Sequence, residues 1–157
     1  MYKLDNTDIK ILEALQTDGR VPLTQLSDQL GIPHATIRDR IRKLENAGVI
    51  ERYAAVINPA KVGFLVTCFV ELTLDHQIEM SRTLESLMNI EEVVTIHLLT
   101  GATDALVQIW ARDLEHLRQI LYDKFANIPG MIRTSTSVVL DTRVKPIHYF
   151  ETEANSA

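Results

Sequence analysis

The chain has 157 residues, 46% hydrophobic and 24% charged, the balance of an ordinary globular protein with one medium domain or two small ones. No stretch approaches the roughly 18 uninterrupted apolar residues of a membrane span. Met1-Tyr2-Lys3-Leu4-Asp5 runs straight into a helical pattern with no room for a signal peptide, so a soluble cytoplasmic protein is expected. The single cysteine, Cys68, excludes an internal disulfide framework and sits in an apolar run, where it reads as a plain buried residue. The net charge of −5 argues against a nucleic-acid partner until its distribution is read. Residues 1–60 hold eight Lys and Arg against eight Asp and Glu, and residues 61–157 hold eight against thirteen. DNA binding needs positive charge where phosphates lie rather than a basic whole, and His34 to Lys43 concentrates Arg38, Arg40, Arg42 and Lys43 against Asp39 alone.

Leu4 to Ile9 reads as a helix start, with Asp5 as N-cap, Asp8 in the first turn and Leu4 and Ile9 spaced as a hydrophobic staple. Ile9, Leu12 and Leu15, flanked by Ile11, make the expected apolar stripe, and Asp18-Gly19 ends the helix. Leu23, Leu26 and Leu30 define a shorter helix stopped by Gly31. Pro33 opens a third, in which Ile37, Ile41 and Leu44 fall on one face before Gly48. Val49 to Ile57 is β-rich and is expected to form a strand up to Asn58-Pro59. Two short helices around Gly31-Ile32-Pro33 match the helix-turn-helix plan, whose second helix enters the major groove. At 100° per residue Ala35, Arg38, Asp39, Arg42 and Lys43 project outward, with His34 and Thr36 at the amino end. Small Ala35 and Thr36 permit close approach to base edges, and Arg38 is placed for bidentate guanine contact. Arg42 and Lys43 suit phosphates. Arg40, beside the apolar stripe, is either a phosphate clamp or an internal ion-pair partner. The competing interpretation is a solvated basic face on a plain three-helix bundle.

After Asn58-Pro59 the periodicity changes. From Phe64 to Leu74, Val66, Cys68, Val70, Leu72 and Leu74 alternate with Thr67, Phe69, Glu71 and Thr73. A helix follows with Met80, Leu84, Leu87 and Met88 expected inward. Next come a strand over Val93–Leu99, a turn at Thr100-Gly101-Ala102-Thr103 and a strand over Ala105–Ala111. Asp113 caps a helix carrying Leu114, Leu117, Ile120, Leu121 and Phe125. Ile128-Pro129-Gly130 breaks it, and Met131 to Leu140 forms a last strand. This βαββαβ order predicts a ferredoxin-like antiparallel sheet with both helices on one face. The fold class is therefore α+β: a winged-type helix-turn-helix domain over 1–60, three helices plus a strand, then a ferredoxin-like domain over 61–157. The open sheet face, bearing Phe69, Leu106 and Trp110 where alternation allows, suggests a symmetric dimer.

No catalytic constellation stands out. His34, His76, His97, His116 and His148 show no metal-ligand spacing, no serine occupies a nucleophile elbow and Gly101 is a lone glycine. No cofactor is expected. Asp104, just past the Gly101 turn, is either turn chemistry or the wall of a sheet-edge pocket. An enzyme on a ferredoxin-like dimer would have to rest on His97 and Asp104. A second alternative is a DNA-binding assembly protein without an effector.

The whole chain resembles the Lrp/AsnC family of transcription regulators. Leu4-Asp5 with Asp8, Ile11 and Leu12 resemble its opening helix, and Asp18-Gly19-Arg20, Leu26-Ser27 and Leu30-Gly31 its second. Thr36-Ile37, Arg40-Ile41, Leu44-Glu45 and Gly48-Val49-Ile50 resemble its recognition helix and exit. Thr100-Gly101 with Asp104, Asp113-Leu114, Pro129-Gly130, Thr134, Thr136 and Val139-Leu140 resemble its amino-acid-binding domain. The resemblance implies dimers through the C-terminal sheets, often gathered into octamers, with an amino acid or related metabolite as effector. It also implies an effector site at Leu98, Thr100, Gly101, Ala102, Thr103, Asp104, Thr134 and Thr136. There Asp104 or nearby main chain orients an ammonium, while Ala102 and Thr103 shape the side-chain pocket. Three departures from the family pattern stand out. Ala102-Thr103 replaces an acidic-plus-aromatic pair, and Pro33 replaces a serine cap worth on the order of 1 kcal/mol. Asp39, which repels phosphate, suits a cytosine amino group instead.

Overall fold

The computed structural model describes residues 2–75, 77 and 79–147; His76 and His148 fall outside them. Two compact units emerge. The first runs to Val56 and takes in the C-terminal segment from Arg143; the second is Ile57–Thr142. The expected division at 60/61 shifts because Pro59–Val62, a 3₁₀ turn capped by the Asn58 side chain, leads into the sheet unit, where the Leu65 amide donates to the Arg112 carbonyl. The described end of the chain joins the first unit instead. There the Gln16 side-chain amide both donates to and accepts from the Ile147 backbone.

The first unit is three helices: α1 (Asn6–Thr17), α2 (Leu23–Leu30) and α3 (His34–Asn46). Asp5 caps α1 as expected and forms a full capping box with Asp8. The core differs in one helical step from the expected stripe. Ile11 and Leu12 are buried with Leu26, Ile37 and Leu44, Leu15 packs at the margin, and Ile9 is only half-buried. Residues 49–57, read as a strand, carry neither helix nor strand. Their β-branched content fits a ladder, but a strand requires a paired neighbour and this segment has none in the sheet.

The second unit is a four-stranded antiparallel sheet of β1 (Val66–Leu74), β2 (Val93–Leu98), β3 (Ala105–Ala111) and β4 (Met131–Val138), ordered β2-β3-β1-β4. The helices α4 (Met80–Met88) and α5 (Leu114–Gln119) supply Leu87 and Leu117 to one core with Cys68, Val70, Leu72, Val107 and Ile109. This is the ferredoxin-like βαββαβ architecture. Within the core, burial pushes the Cys68 thiol up to about 11, so it behaves as an inert apolar group.

Several apolar residues at helical spacing stay out of that core. Met88 and Leu114 are exposed, and Thr83 is buried instead, its hydroxyl donating to the Pro129 carbonyl. The last strand ends at Val138, short of Leu140. After α5 the chain makes a π turn over Ile120–Lys124 and a 3₁₀ turn over Phe125–Asn127, which together carry Ile120 and Phe125 inward. On the opposite sheet face the register sets Thr67 against Trp110, Phe69 against Gln108 and Glu71 against Leu106. Phe69, Leu106 and Trp110 therefore share the face that the helices leave uncovered, each half-buried, and the Trp110 ring lies 6.0 Å from Phe64.

Candidate functional site

The turn ahead of α3 is built by backbone demands. Gly31 adopts φ +65°, a left-handed C-cap that a side chain disfavours. The Ser27 hydroxyl donates to the Ile32 carbonyl at 2.6 Å while the Ile32 amide donates back to the Ser27 carbonyl at 3.2 Å. Ser27 thus fixes the angle at which α3 leaves α2, a role that spacing alone does not disclose. Pro33 occupies the N-cap with no side-chain cap bond.

With Ile37 and Leu44 fully buried, the opposite side of α3 presents Ala35, Thr36, Arg38, Asp39, Arg42 and Lys43, all exposed, with His34 half-buried at the start. Arg38 Nη2 donates to His34 Nδ1 at 3.1 Å. Arg38 and Arg42 also line an open crevice of about 370 Å³ with Leu23, Ile41 and Glu45. Glu45 in turn accepts from the Tyr53 hydroxyl at 3.0 Å, which ties the segment after α3 back onto it. Burial and the Glu45 carboxylate raise the Tyr53 phenol above its ordinary value.

Arg40 is the one member of the predicted set that leaves this face. Its guanidinium pairs with Asp5 and, at 3.1 Å, with Asp8, so it joins α3 to the capping box of α1. Of the two roles its position allowed, the structure shows the ion pair. Asp8 is 1% exposed and also accepts from the Asp5 amide, so Arg40 is the cation set against a buried carboxyl group. Burial pushes Asp5 up, but the Asp8 amide and the Arg40 guanidinium outweigh it and hold the carboxyl below its ordinary value.

The second predicted set lies at one end of the sheet. Gly101 adopts φ +128° with nothing near a would-be Cβ, so glycine is needed there for its backbone and not for space. Asp104 is bound into the sheet: its amide donates to the Leu72 carbonyl, and its Oδ2 accepts from the Leu74 amide, both at 2.8 Å. Register aligns Leu98, Ala105, Leu72 and Thr134 in one row across all four strands, with Thr136 opposite Val70. Leu98 thus lies on the α4 side, where it lines an apolar groove of about 420 Å³ with Leu84, Met88 and Ile96. Thr134 sits two strands from Ala105, about 10 Å away at ordinary strand spacing. Thr100, Gly101 and Ala102 are exposed, Thr103 and Asp104 half-buried, and Thr134 and Thr136 exposed. One chain therefore arranges these eight residues as an open edge. His97, the possible partner of Asp104 in acid–base chemistry, is exposed and pairs in register with Leu106.

One polar cluster has no counterpart in the sequence reading. Glu92, 9% exposed, accepts from Lys124 Nζ at 2.7 Å through both oxygens and lies 3.1 Å from His116 Nε2. His116 Nδ1 accepts from the Arg112 amide, so the ring proton sits on Nε2 and donates to Glu92. Burial pushes Glu92 up, but Lys124 and His116 prevail and its carboxyl titrates below the ordinary value. These partners come from the turn before β2, from α5 and from the π turn that continues it, and the cluster clamps them together. Among the described residues no three His, Cys, Asp or Glu side chains gather as metal ligands, and no helix is long and apolar enough to cross a membrane.

Two family profiles match the chain: winged helix-turn-helix DNA-binding over residues 4–51, and Lrp/AsnC ligand binding domain over residues 67–147. The HTH-type transcriptional regulator FL11 of Pyrococcus horikoshii is 35% identical over 139 residues, covering 88% of this chain and 91% of that protein. Among solved structures, a transcriptional regulator of Neisseria meningitidis in complex with L-Met superposes with a TM-score of 0.86 at 28% identity, covering 94% of this chain and 96% of that one. Escherichia coli AsnC superposes at 0.83, also 28% identical, over 93% and 98%. With an exposed basic helix in a helix-turn-helix unit and a ferredoxin-like second unit, matched in order along nearly the full length, the chain belongs to the Lrp/AsnC family of transcriptional regulators.

Proposed function

We propose that this regulator reads DNA with the outward face of α3 and responds to an amino acid at the edge formed by the β2–β3 turn and β4. The observation that carries the first half is the sorting of basic residues on α3: Arg38, Arg42 and Lys43 stay exposed while Arg40 is committed to Asp5 and Asp8. Arg38 reads a guanine edge, Arg42 and Lys43 hold phosphates, Ala35 and Thr36 allow close approach, and Asp39 accepts from a cytosine amino group. Two chains pack through the sheet face bearing Phe69, Leu106 and Trp110, and so offer two recognition helices to half-sites one helical turn or a multiple apart, as dimers or higher assemblies in the cytoplasm. The effector half is supported by the ligand-binding family profile and by the Neisseria regulator in complex with L-Met. An edge left open in one chain suits a ligand clasped between chains, where its affinity differs with the assembly state, and that difference is what coupling requires.

Lys43→Ala is expected to weaken binding to all duplexes alike and to lower the slope of log affinity against log salt by about one. Fluorescence anisotropy at several salt concentrations measures this. An unchanged slope removes Lys43 from the phosphate contacts. For the effector, purified full-length protein is titrated with each of the twenty amino acids in thermal-shift and sedimentation experiments. Stabilisation by a subset, lost in Gly101→Val, is the expected result. No shift in melting or sedimentation with any amino acid leaves an assembly protein that binds DNA without an effector.

A further inference from the structure

We infer that His34 is a positioning residue for Arg38, and that the pair rather than the arginine alone determines the guanine preference of α3. The inference rests on the base-reading role proposed for Arg38. An exposed arginine samples many rotamers, and an arginine that must present two N–H groups to guanine O6 and N7 gains from being held in one of them. Arg38 is exposed, yet one of its guanidinium nitrogens is engaged by His34 Nδ1 at 3.1 Å, one helical turn back on the same face. His34 is suited to the task. It is half-buried where its neighbours Ala35 and Thr36 are exposed, so its ring is a firmer anchor than the other side chains of the face. It also begins a helix whose N-cap, Pro33, makes no side-chain cap bond.

The contact fixes more than a rotamer. Accepting at Nδ1 places the ring proton on Nε2. His34 and Arg38 together then expose only donors: the remaining guanidinium N–H groups and the imidazole Nε2–H. In the major groove that pattern complements the two acceptors of guanine and opposes the exposed amino groups of adenine and cytosine. The acidic neighbour Asp39 supplies the opposite character one residue on, so donor and acceptor lie side by side on the helix.

The test is selection from a random-sequence duplex pool by the full-length protein and by Arg38→Ala, His34→Ala, His34→Asn and the His34→Ala/Arg38→Ala double variant. A structural role for His34 would lower affinity for all sequences together; a positioning role changes preference at one base pair per half-site. Arg38→Ala is expected to erase a guanine preference at that position. His34→Ala is expected to reduce the same preference roughly ten-fold, within the range for one bidentate contact. His34→Asn, whose Oδ1 stands where Nδ1 does, is expected to restore most of it, and the double variant to match Arg38→Ala. A wild-type profile in Arg38→Ala overturns the base-reading role and this inference with it. A changed profile in Arg38→Ala beside a wild-type profile in His34→Ala overturns this inference alone, as does an Asn variant that behaves like the Ala variant.

Discussion

Replacing Arg40 by methionine is expected to destabilise the helical unit by about 3 kcal/mol, because it strands the Asp8 carboxylate in the core. Asp8 is 1% exposed and, among the described residues, then keeps the Asp5 amide and a long contact from the Tyr2 hydroxyl at 3.4 Å. Methionine retains most of the packing of the arginine stem, so the loss is that of the charge partner. The Arg40 side chain is 31% exposed, which places the effect toward the lower end for a broken buried pair. A helical unit of this size has a stability of roughly 3–8 kcal/mol, so the variant keeps at most about 5 kcal/mol of it. Amide exchange along α1 and α3 in urea measures the change. Protection equal to wild type would mean that water reaches Asp8 and that Arg40 is free to serve the basic face. Asp8→Asn in the Arg40→Met background is expected to recover part of the loss, since a neutral amide is far less costly to bury. Acid should act through the same contacts. Folded Asp5 titrates below its unfolded value, so its contribution is complete above the ordinary carboxylate range and is lost as pH falls through the lower folded value. Arg40→Met, lacking the guanidinium, should lose part of this acid sensitivity.

That one residue also shows where the sequence was legible. Caps, glycines and apolar spacing disclosed α1, α2 and α3, because each signal is local and lies within a few residues of what it explains. Alternation disclosed β1 for the same reason, with Cys68, Val70 and Leu72 against Phe69 and Glu71. Arg40 lay at the margin of the α3 stripe, where helical angle alone permits either role. Its partners Asp5 and Asp8 are more than thirty residues away, so only the packing of α3 against α1 decides. The same limit hid Glu92, whose clamp assembles from Lys124 and His116. Apolar spacing overreached where no surface waited to cover it, as at Met88, Leu114 and the β-rich segment after α3. The proposed ligand edge was never visible in periodicity. It came from resemblance, and the structure supplies its register through the row from Leu98 to Thr134.

Phe125→Ala is expected to cost the sheet unit about 3–5 kcal/mol, and the reason lies in the turn before it. Leu117 and Ile120 enter the core at ordinary helical spacing, but the next buried residue is five positions on. A continuing α-helix would bring residue 124 round toward the stripe and swing 125 away. The π turn over Ile120–Lys124 adds a residue to that turn, sets Phe125 fully into the core and leaves Lys124 at the rim, within 2.7 Å of Glu92. One local distortion thus serves an apolar anchor and a part-buried ion pair together. Removing the phenyl ring leaves a cavity among strands and turns that the Lys124–Glu92 clamp keeps from collapsing, so the upper part of the range applies. For a unit of this length the melting temperature should fall by about 15–40 °C. Trp110, the only tryptophan in the chain, lies in β3 and reports this unit selectively. The helical unit has its own core and should keep its exchange protection. Because the uncovered sheet face is the proposed dimer contact, loss of the sheet unit should also abolish cooperative binding to paired half-sites while single-site contact survives. A melting shift of only a few degrees would show that the π turn does not commit Phe125 to the core.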